Sequence, residues 1–178
     1  ENLALVEFLV KERIDCRLVL CDANPNAGEK LPVALPNAEF RLGRGYDRDL
    51  SGIDLVSRVA GYPLCSVSLK AAAKKGALIT SPTKLFMDIC PTENIVGVTG
   101  TKGKGTTSGL IYDILTTAGK RAFWGGNIGI PMFGFLDKLK AGDWVVLELS
   151  SFQLEDLAAS PKIAVITNLS PEHLAPAD

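Results

Sequence analysis

Residues 95 to 107 read Ile95-Val-Gly-Val-Thr-Gly-Thr-Lys-Gly-Lys-Gly-Thr-Thr107, an apolar run that breaks into a glycine-rich turn carrying lysines and hydroxyls. The apolar run predicts a buried strand, and the residues after the turn predict the start of a helix. Glycines let backbone N–H groups approach phosphate oxygens, while a lysine and a helix N-terminus attract negative charge. The stretch therefore predicts a strand, loop and helix that bind the phosphates of ATP or GTP.

This loop departs from the strict P-loop pattern at two positions. Val98 stands where the first glycine is expected, and Gly105 stands where a hydroxyl should follow Lys104. Thr106 or Thr107 is then expected to reach the magnesium ion that accompanies the nucleotide. The alternative is a plain turn between a strand and a helix, which the lysine and the threonine pair disfavour.

Composition limits the classes of function. The 178 residues are 47% hydrophobic, which is enough for a buried core, and 19 basic against 20 acidic residues give a net charge of −1. Such a balance provides no overall field for binding nucleic acid or an anionic membrane. The four cysteines have no CxxC spacing, and no apolar run approaches the roughly 20 residues that cross a bilayer. We expect a cytoplasmic protein without nucleic-acid partners or membrane insertion.

Short β-rich runs alternate with helical segments, which predicts an α/β fold with a mostly parallel sheet. Strands are predicted over residues 17–21, 53–57, 77–80, 95–99, 144–149 and 163–167. Helices are predicted over residues 3–13, 66–75, 83–89, 104–118 and 131–139. A turn-rich stretch near residue 90 is expected to divide the chain into two domains, 1–90 and 91–178.

Three polar residues downstream of the loop are candidates for a site. Glu148 lies inside an apolar strand, where a carboxylate is costly unless it meets a cation such as nucleotide-bound Mg²⁺. Asn127 lies in a glycine-rich turn, and His173, the only histidine, follows a predicted strand. The alternatives are a glutamate on an edge strand, an ordinary turn, and a histidine with a packing or surface role.

Four motifs together resemble the Mur ligases in order and spacing. They are Thr99-Gly-Thr-Lys-Gly-Lys104, Gly125-Gly-Asn-Ile-Gly129, Leu147-Glu-Leu-Ser-Ser-Phe-Gln-Leu-Glu155 and Asn168-Leu-Ser-Pro-Glu-His173. The third motif is most similar to that of the family members that add D-glutamate to UDP-N-acetylmuramoyl-L-alanine. The segments 54–63 and 69–76 also resemble the end of the substrate domain of those ligases.

The resemblance implies a fold and a reaction. Residues 1–90 would form a Rossmann-like domain that binds the UDP-sugar, and residues 91–178 would begin a P-loop-type ATPase domain. ATP and Mg²⁺ would activate the carboxylate of UDP-N-acetylmuramoyl-L-alanine as an acyl phosphate, which D-glutamate then captures as an amide. The family pattern would place one strand before Glu1 and further domains after Asp178, so we expect this segment alone to be inactive. We expect the complete protein to be a monomer.

The resemblance also implies roles for individual residues. Lys104, Glu148 and His173 would be catalytic, and Thr106, Glu148 and His173 would bind metal. Asp22, Gly61 and Asn127 would contact the substrate. ATP would be bound by Gly100, Thr101, Lys102, Gly103, Lys104, Gly105, Thr106 and Thr107.

Two other functions stay open at the level of sequence. A glycine directly after the lysine resembles the phosphate loop of folylpolyglutamate synthases, in which the next residue supplies the hydroxyl. A folate ligase therefore stays open as the alternative function. A module that binds nucleotide without catalysis is the other alternative. Glu148 and His173 favour catalysis, because ATP binding alone requires no second metal ligand.

Overall fold

The structure is a computed structural model that describes residues 1–31, 35 and 38–171. The chain divides into two compact units, residues 1–82 and 83–178. Helices and strands alternate along the described residues, and every strand pairing seen among them is parallel. The predicted α/β class with a mostly parallel sheet is confirmed. The assignment of residues 1–90 and 91–178 to two functional domains stays a prediction.

The first unit contains two pairs of parallel strands, β1 with β2 and β3 with β4. Its elements are α1 (Asn2–Lys11), β1 (Val19–Asp22), a 3-10 turn (Ala27–Lys30), β2 (Glu39–Leu42), β3 (Leu55–Ser57), α2 (Val67–Lys74) and β4 (Leu78–Thr80). β2 was not predicted from the sequence, because its four residues include two charged side chains and lack a continuous apolar run.

The second unit is built on a four-stranded sheet with the order β6, β7, β5, β8. Its elements are α3 (Pro82–Ile89), β5 (Ile95–Thr99), α4 (Lys104–Thr117), β6 (Ala122–Gly126), β7 (Trp144–Glu148), α5 (Ser151–Leu154) and β8 (Ile163–Ile166). The central strands β5 and β7 are apolar and buried, as expected for a sheet covered on both faces. None of the helices over the described ranges is long and apolar enough to span a membrane.

Two apolar clusters support this sheet. Val96, Val98 and Val146 form a buried cluster on β5 and β7. Phe86 of α3 is fully buried and packs edge-to-face against Phe133, with ring centroids 6.3 Å apart. Buried aromatic and aliphatic side chains contribute most of the stability of such cores. This packing stabilises the sheet whose strand ends carry the polar groups.

The structure differs from the sequence prediction at two places in this unit. No strand was predicted over residues 122–126, which form β6, and the predicted helix over residues 131–139 is replaced by two 3-10 turns, Met132–Gly134 and Leu136–Lys138. Gly134 interrupts the helical pattern, since glycine weakens a helix interior. Gly125 is required by close packing, because a Cβ there would lie 2.7 Å from the Phe135 ring and 2.9 Å from the Ile130 carbonyl oxygen.

Candidate nucleotide-binding site

The strand order places the glycine-rich loop between two other strand ends. β5 lies between β7 and β8, and Val98 pairs with Glu148 while Thr99 pairs with Ile166. In a parallel sheet the carboxyl ends of the strands share one edge, where ligands bind in α/β proteins. The loop after β5, the carboxylate of Glu148 and the residues following β8 therefore meet at this edge.

The loop backbone is shaped by two glycines with positive φ angles. Gly100 has φ +131° and Gly103, which precedes α4, has φ +82°. Lys104, the first residue of α4, turns back over the loop, and its Nζ donates to the carbonyl oxygens of Gly100 at 2.7 Å and Thr101 at 3.1 Å. An ammonium group has three donors, so this lysine retains a donor for a phosphate oxygen.

Glu148 is buried at the end of β7, with 7% of its surface exposed. Its Oε1 accepts a hydrogen bond from Asn127 Nδ2 at 2.9 Å, and its carbonyl oxygen accepts from the Asn127 N–H, also at 2.9 Å. Both residues were predicted from the sequence to lie in the site, and in the structure they contact each other. An amide donor does not neutralise a buried carboxylate, so the arrangement fits a divalent cation.

Gly105, one of the two departures from the strict P-loop pattern, lies beside Glu148. A Cβ at this position would lie 3.0 Å from Glu148 Oε2, a tight contact in which the end of the glutamate side chain would have to shift slightly. The glycine leaves space between the first turn of α4 and a carboxylate oxygen, and oxygen is the ligand that Mg²⁺ prefers. Thr106 is exposed one position later, and Thr107 is half-buried.

A cation at Glu148 would depend on a bound nucleotide for further ligands. Within the described ranges, no three His, Cys, Asp or Glu side chains come together in a group that would hold a metal ion. Mg²⁺ is commonly bound by one or two carboxylates together with substrate phosphates and water. His173 lies outside the described residues, and its proposed metal-binding role stays a prediction.

Thr167 and Asn168 also contact the loop, and they were not among the predicted site residues. The Asn168 side chain hydrogen-bonds to both polar backbone groups of Lys102, at 3.0 and 2.9 Å. The Thr167 hydroxyl lies 2.7 Å from the Lys102 carbonyl oxygen. Their position at the end of the strand predicted over residues 163–167 was the available signal, since such strand ends face ligand sites in parallel sheets.

The two predicted substrate residues of the first unit occupy strand-end and turn positions. Asp22 is the exposed last residue of β1, and its Oδ1 accepts from the Asn24 N–H at 2.7 Å. Gly61 has φ +88° and open space around it.

Tyr62, the residue after Gly61, belongs to a polar cluster that was not predicted from the sequence. The hydroxyls of Tyr62 and Ser68 donate to the Asp47 carboxylate, the latter at 3.2 Å. The hydrogen bond from Tyr62 lowers the pKa of Asp47 below its ordinary value. This charged carboxylate therefore fixes the turn that contains Gly61.

The turn after β6 provides a matched pair of substitutions. Gly126 and Gly129 both have positive φ, +96° and +87°, but only at Gly126 would a Cβ meet a close atom, the Glu148 carbonyl oxygen at 2.3 Å. We expect Gly129→Ala to lower the free energy of unfolding by about 1 kcal/mol and Gly126→Ala by about 3 kcal/mol or more. Urea titration monitored by circular dichroism measures both. Equal losses would show that the close approach of Gly126 to β7 is unimportant.

Comparisons with known proteins show which proteins this chain is similar to. A family model described as the Mur ligase middle domain matches residues 98–176. Proteins named UDP-N-acetylmuramoylalanine–D-glutamate ligase are similar to the chain in several bacteria. The one from Acetivibrio thermocellus is 44% identical over 136 residues, 76% of this chain and 29% of the relative. That from Clostridium acetobutylicum is 46% identical over 138 residues, 78% of this chain and 30% of the relative.

A third relative extends the similarity along nearly the whole chain. The ligase of the same name from Clostridium novyi is 38% identical over 174 residues, which are 97% of this chain and 38% of the relative. The chain thus spans about a third of the length of the curated relatives it matches. Residues 98–176 thus match the Mur ligase middle domain, and the chain is similar to ligases of that family along nearly its whole length.

Proposed function

We propose that this protein is an ATP-dependent amide ligase of peptidoglycan precursor synthesis that adds D-glutamate to UDP-N-acetylmuramoyl-L-alanine. The observation that carries the proposal is the buried Glu148 carboxylate beside Gly105, at the first turn of the helix that follows the phosphate loop. The names of the relatives supply the substrates, and the match to the Mur ligase middle domain supports an ATP-dependent reaction.

In this proposal the residues of the second unit bind and orient the nucleotide. Lys104 contacts the β- and γ-phosphates, and Glu148 holds Mg²⁺ with the Thr106 hydroxyl as a further ligand. His173 would hold a second Mg²⁺. Bound Mg²⁺ supplies charge neutralisation at the phosphates. Asn127 fixes the Glu148 carboxylate through the observed hydrogen bond and contacts the muramoyl substrate.

The proposed reaction requires no covalent enzyme nucleophile. The γ-phosphate of ATP passes to the alanyl carboxylate, which gives ADP and an acyl phosphate. The amine of D-glutamate attacks the acyl carbon, so an amide forms, and phosphate and a proton leave. In the first unit, Asp22 is proposed to meet the uridine portion and Gly61 to line the same pocket.

Phosphate release by the protein from the complete open reading frame tests this function. With Mg-ATP, we expect release only when UDP-N-acetylmuramoyl-L-alanine and D-glutamate are both present, because the amine must capture an acyl phosphate that forms on the first substrate. A folate with L-glutamate serves as the parallel reaction. Release with folate alone would overturn the proposal in favour of a folate ligase, and ATP binding without release would indicate a nucleotide-binding module.

A further inference from the structure

One side chain holds both polar backbone groups of Lys102. The Lys102 N–H donates to Asn168 Oδ1 at 3.0 Å, and its carbonyl oxygen accepts from Asn168 Nδ2 at 2.9 Å. The two residues are 66 positions apart in the chain. A carboxamide presents a donor and an acceptor side by side, whereas a carboxylate of the same shape presents acceptors alone. The geometry therefore requires asparagine rather than aspartate.

Further contacts join the same two segments. The Thr101 N–H donates to the Asn168 carbonyl oxygen at 3.1 Å. The Thr101 hydroxyl donates to the Ser170 carbonyl oxygen at 3.1 Å and accepts from the Ser170 N–H at 3.0 Å. We call all the hydrogen bonds that join Thr167, Asn168 and Ser170 to Thr101 and Lys102 the loop clasp. The clasp ties the first half of the phosphate loop to the segment after β8.

The packing at Gly100 depends on the same contact between segments. A Cβ at Gly100 would lie 2.2 Å from Thr167 Oγ1 and 2.8 Å from the Asn168 carbonyl oxygen. No side chain fits at such distances without moving the segment after β8. The glycine at this position therefore serves the clasp as well as the turn.

The backbone N–H groups of the loop and of the first turn of α4 form two sets, those that donate to the clasp and those that do not. Those of Thr101 and Lys102 are already donated to Asn168. The first intrahelical bond of α4 runs from the Thr107 N–H to the Gly103 carbonyl oxygen at 2.9 Å. The preceding N–H groups, those of Lys104, Gly105 and Thr106, have no acceptor within a helix and face its N-terminal end. Phosphate oxygens are the natural acceptors there.

We propose that Asn168 is a positioning residue of the nucleotide site. By fixing Thr101 and Lys102, it leaves phosphate recognition to the N–H groups at residues 104–106 and to the ammonium of Lys104. A loop that is already ordered loses less entropy when the ligand binds, so the clasp strengthens nucleotide binding. This inference rests on the proposed function, because it concerns how the same site holds ATP.

The test measures ATP affinity by calorimetry at saturating Mg²⁺, using the protein from the complete open reading frame. We expect Asn168→Ala to weaken ATP binding by about tenfold, because two backbone groups lose their partner. Asn168→Asp should weaken it at least as much, because it loses the donor and adds negative charge near the phosphates. Amide hydrogen exchange should become faster at Lys102 and remain unchanged in β5.

Matched variants separate positioning from folding. Thr101→Val removes the clasp hydroxyl and should also weaken binding, while Thr101→Ser should restore it. Asn94→Ala removes an asparagine that accepts from Lys162 at 2.8 Å at the other end of β5, and it should bind ATP as the wild type does. Wild-type affinity in Asn168→Ala would overturn the clasp proposal alone. Failure of the wild type to bind ATP would overturn the proposed function and the clasp with it.

Discussion

Lys104→Ala is expected to reduce the rate of ATP-dependent phosphate release by about 10²–10³-fold. The ammonium lies over the phosphate loop, 2.7 Å from the Gly100 carbonyl oxygen and 3.1 Å from that of Thr101. It is therefore held over the loop by backbone contacts, and in the proposed reaction its charge would stabilise the transferring phosphoryl group. Steady-state phosphate release with saturating UDP-N-acetylmuramoyl-L-alanine and D-glutamate measures the effect, and calorimetry measures ATP affinity.

Lys120→Ala is the matched control for this variant. Lys120 is an exposed lysine just beyond the C-terminal end of α4, so its removal changes the net charge equally at a distance from the loop. It should release phosphate at the wild-type rate. Thermal unfolding of Lys104→Ala should show that the fold is retained. A folded Lys104→Ala protein with wild-type turnover would remove this lysine from the site.

Glu148→Gln is expected to lower Mg²⁺-dependent turnover by about 10²-fold or more, because a neutral amide is a poor ligand for a hard cation. Glutamine keeps the size of the side chain and an oxygen that can accept the 2.9 Å hydrogen bond from Asn127. The stability of the Glu148→Gln variant, in contrast to its turnover, should be unchanged or higher. Without metal, the variant should unfold at an equal or higher urea concentration, since a buried carboxylate is costly when no cation balances it.

Two measurements and one control make this prediction specific. Titration with Mn²⁺, followed by electron paramagnetic resonance in the presence of ADP, reports metal affinity separately from turnover. Glu93→Gln changes an exposed carboxylate at the opposite end of β5 and should leave metal affinity unchanged. If Glu148→Gln bound Mn²⁺ as tightly as the wild type and unfolded more easily, the carboxylate would have a structural role instead.

The sequence was most reliable where a structural element is encoded by adjacent residues. The predicted strand over residues 95–99 is observed as Ile95–Thr99, and the helix predicted over 104–118 is observed as Lys104–Thr117. An apolar run and a glycine-rich turn impose these conformations locally. Glu148 stood out for the same reason, because a carboxylate among buried residues is costly whatever surrounds it.

Elements that depend on distant neighbours were predicted less well. The β6 strand ends in two glycines, which by themselves indicate a turn. The sequence does not show that the Phe135 ring packs against Gly125, and this contact explains the glycine within the strand. The helix predicted over residues 131–139 does not form. The backbone there makes two short 3-10 turns with buried apolar side chains, and Gly134 lies between those apolar residues. Local propensity is a weak guide where packing against the rest of the unit decides the backbone.

The sequence by itself determined which chemical groups this protein brings to its phosphate loop, namely a lysine, glycines, hydroxyls and a carboxylate at a strand end. Only the tertiary structure decided which of them meet. The hydrogen bond between Asn127 and Glu148 joins two residues that are 21 positions apart in the chain. The hydrogen bond between Asn168 and Lys102 joins two residues that are 66 positions apart. Hydrophobic periodicity specifies the face on which a residue lies and not its partner, whereas the strand order sets the partner by placing β5 between β7 and β8.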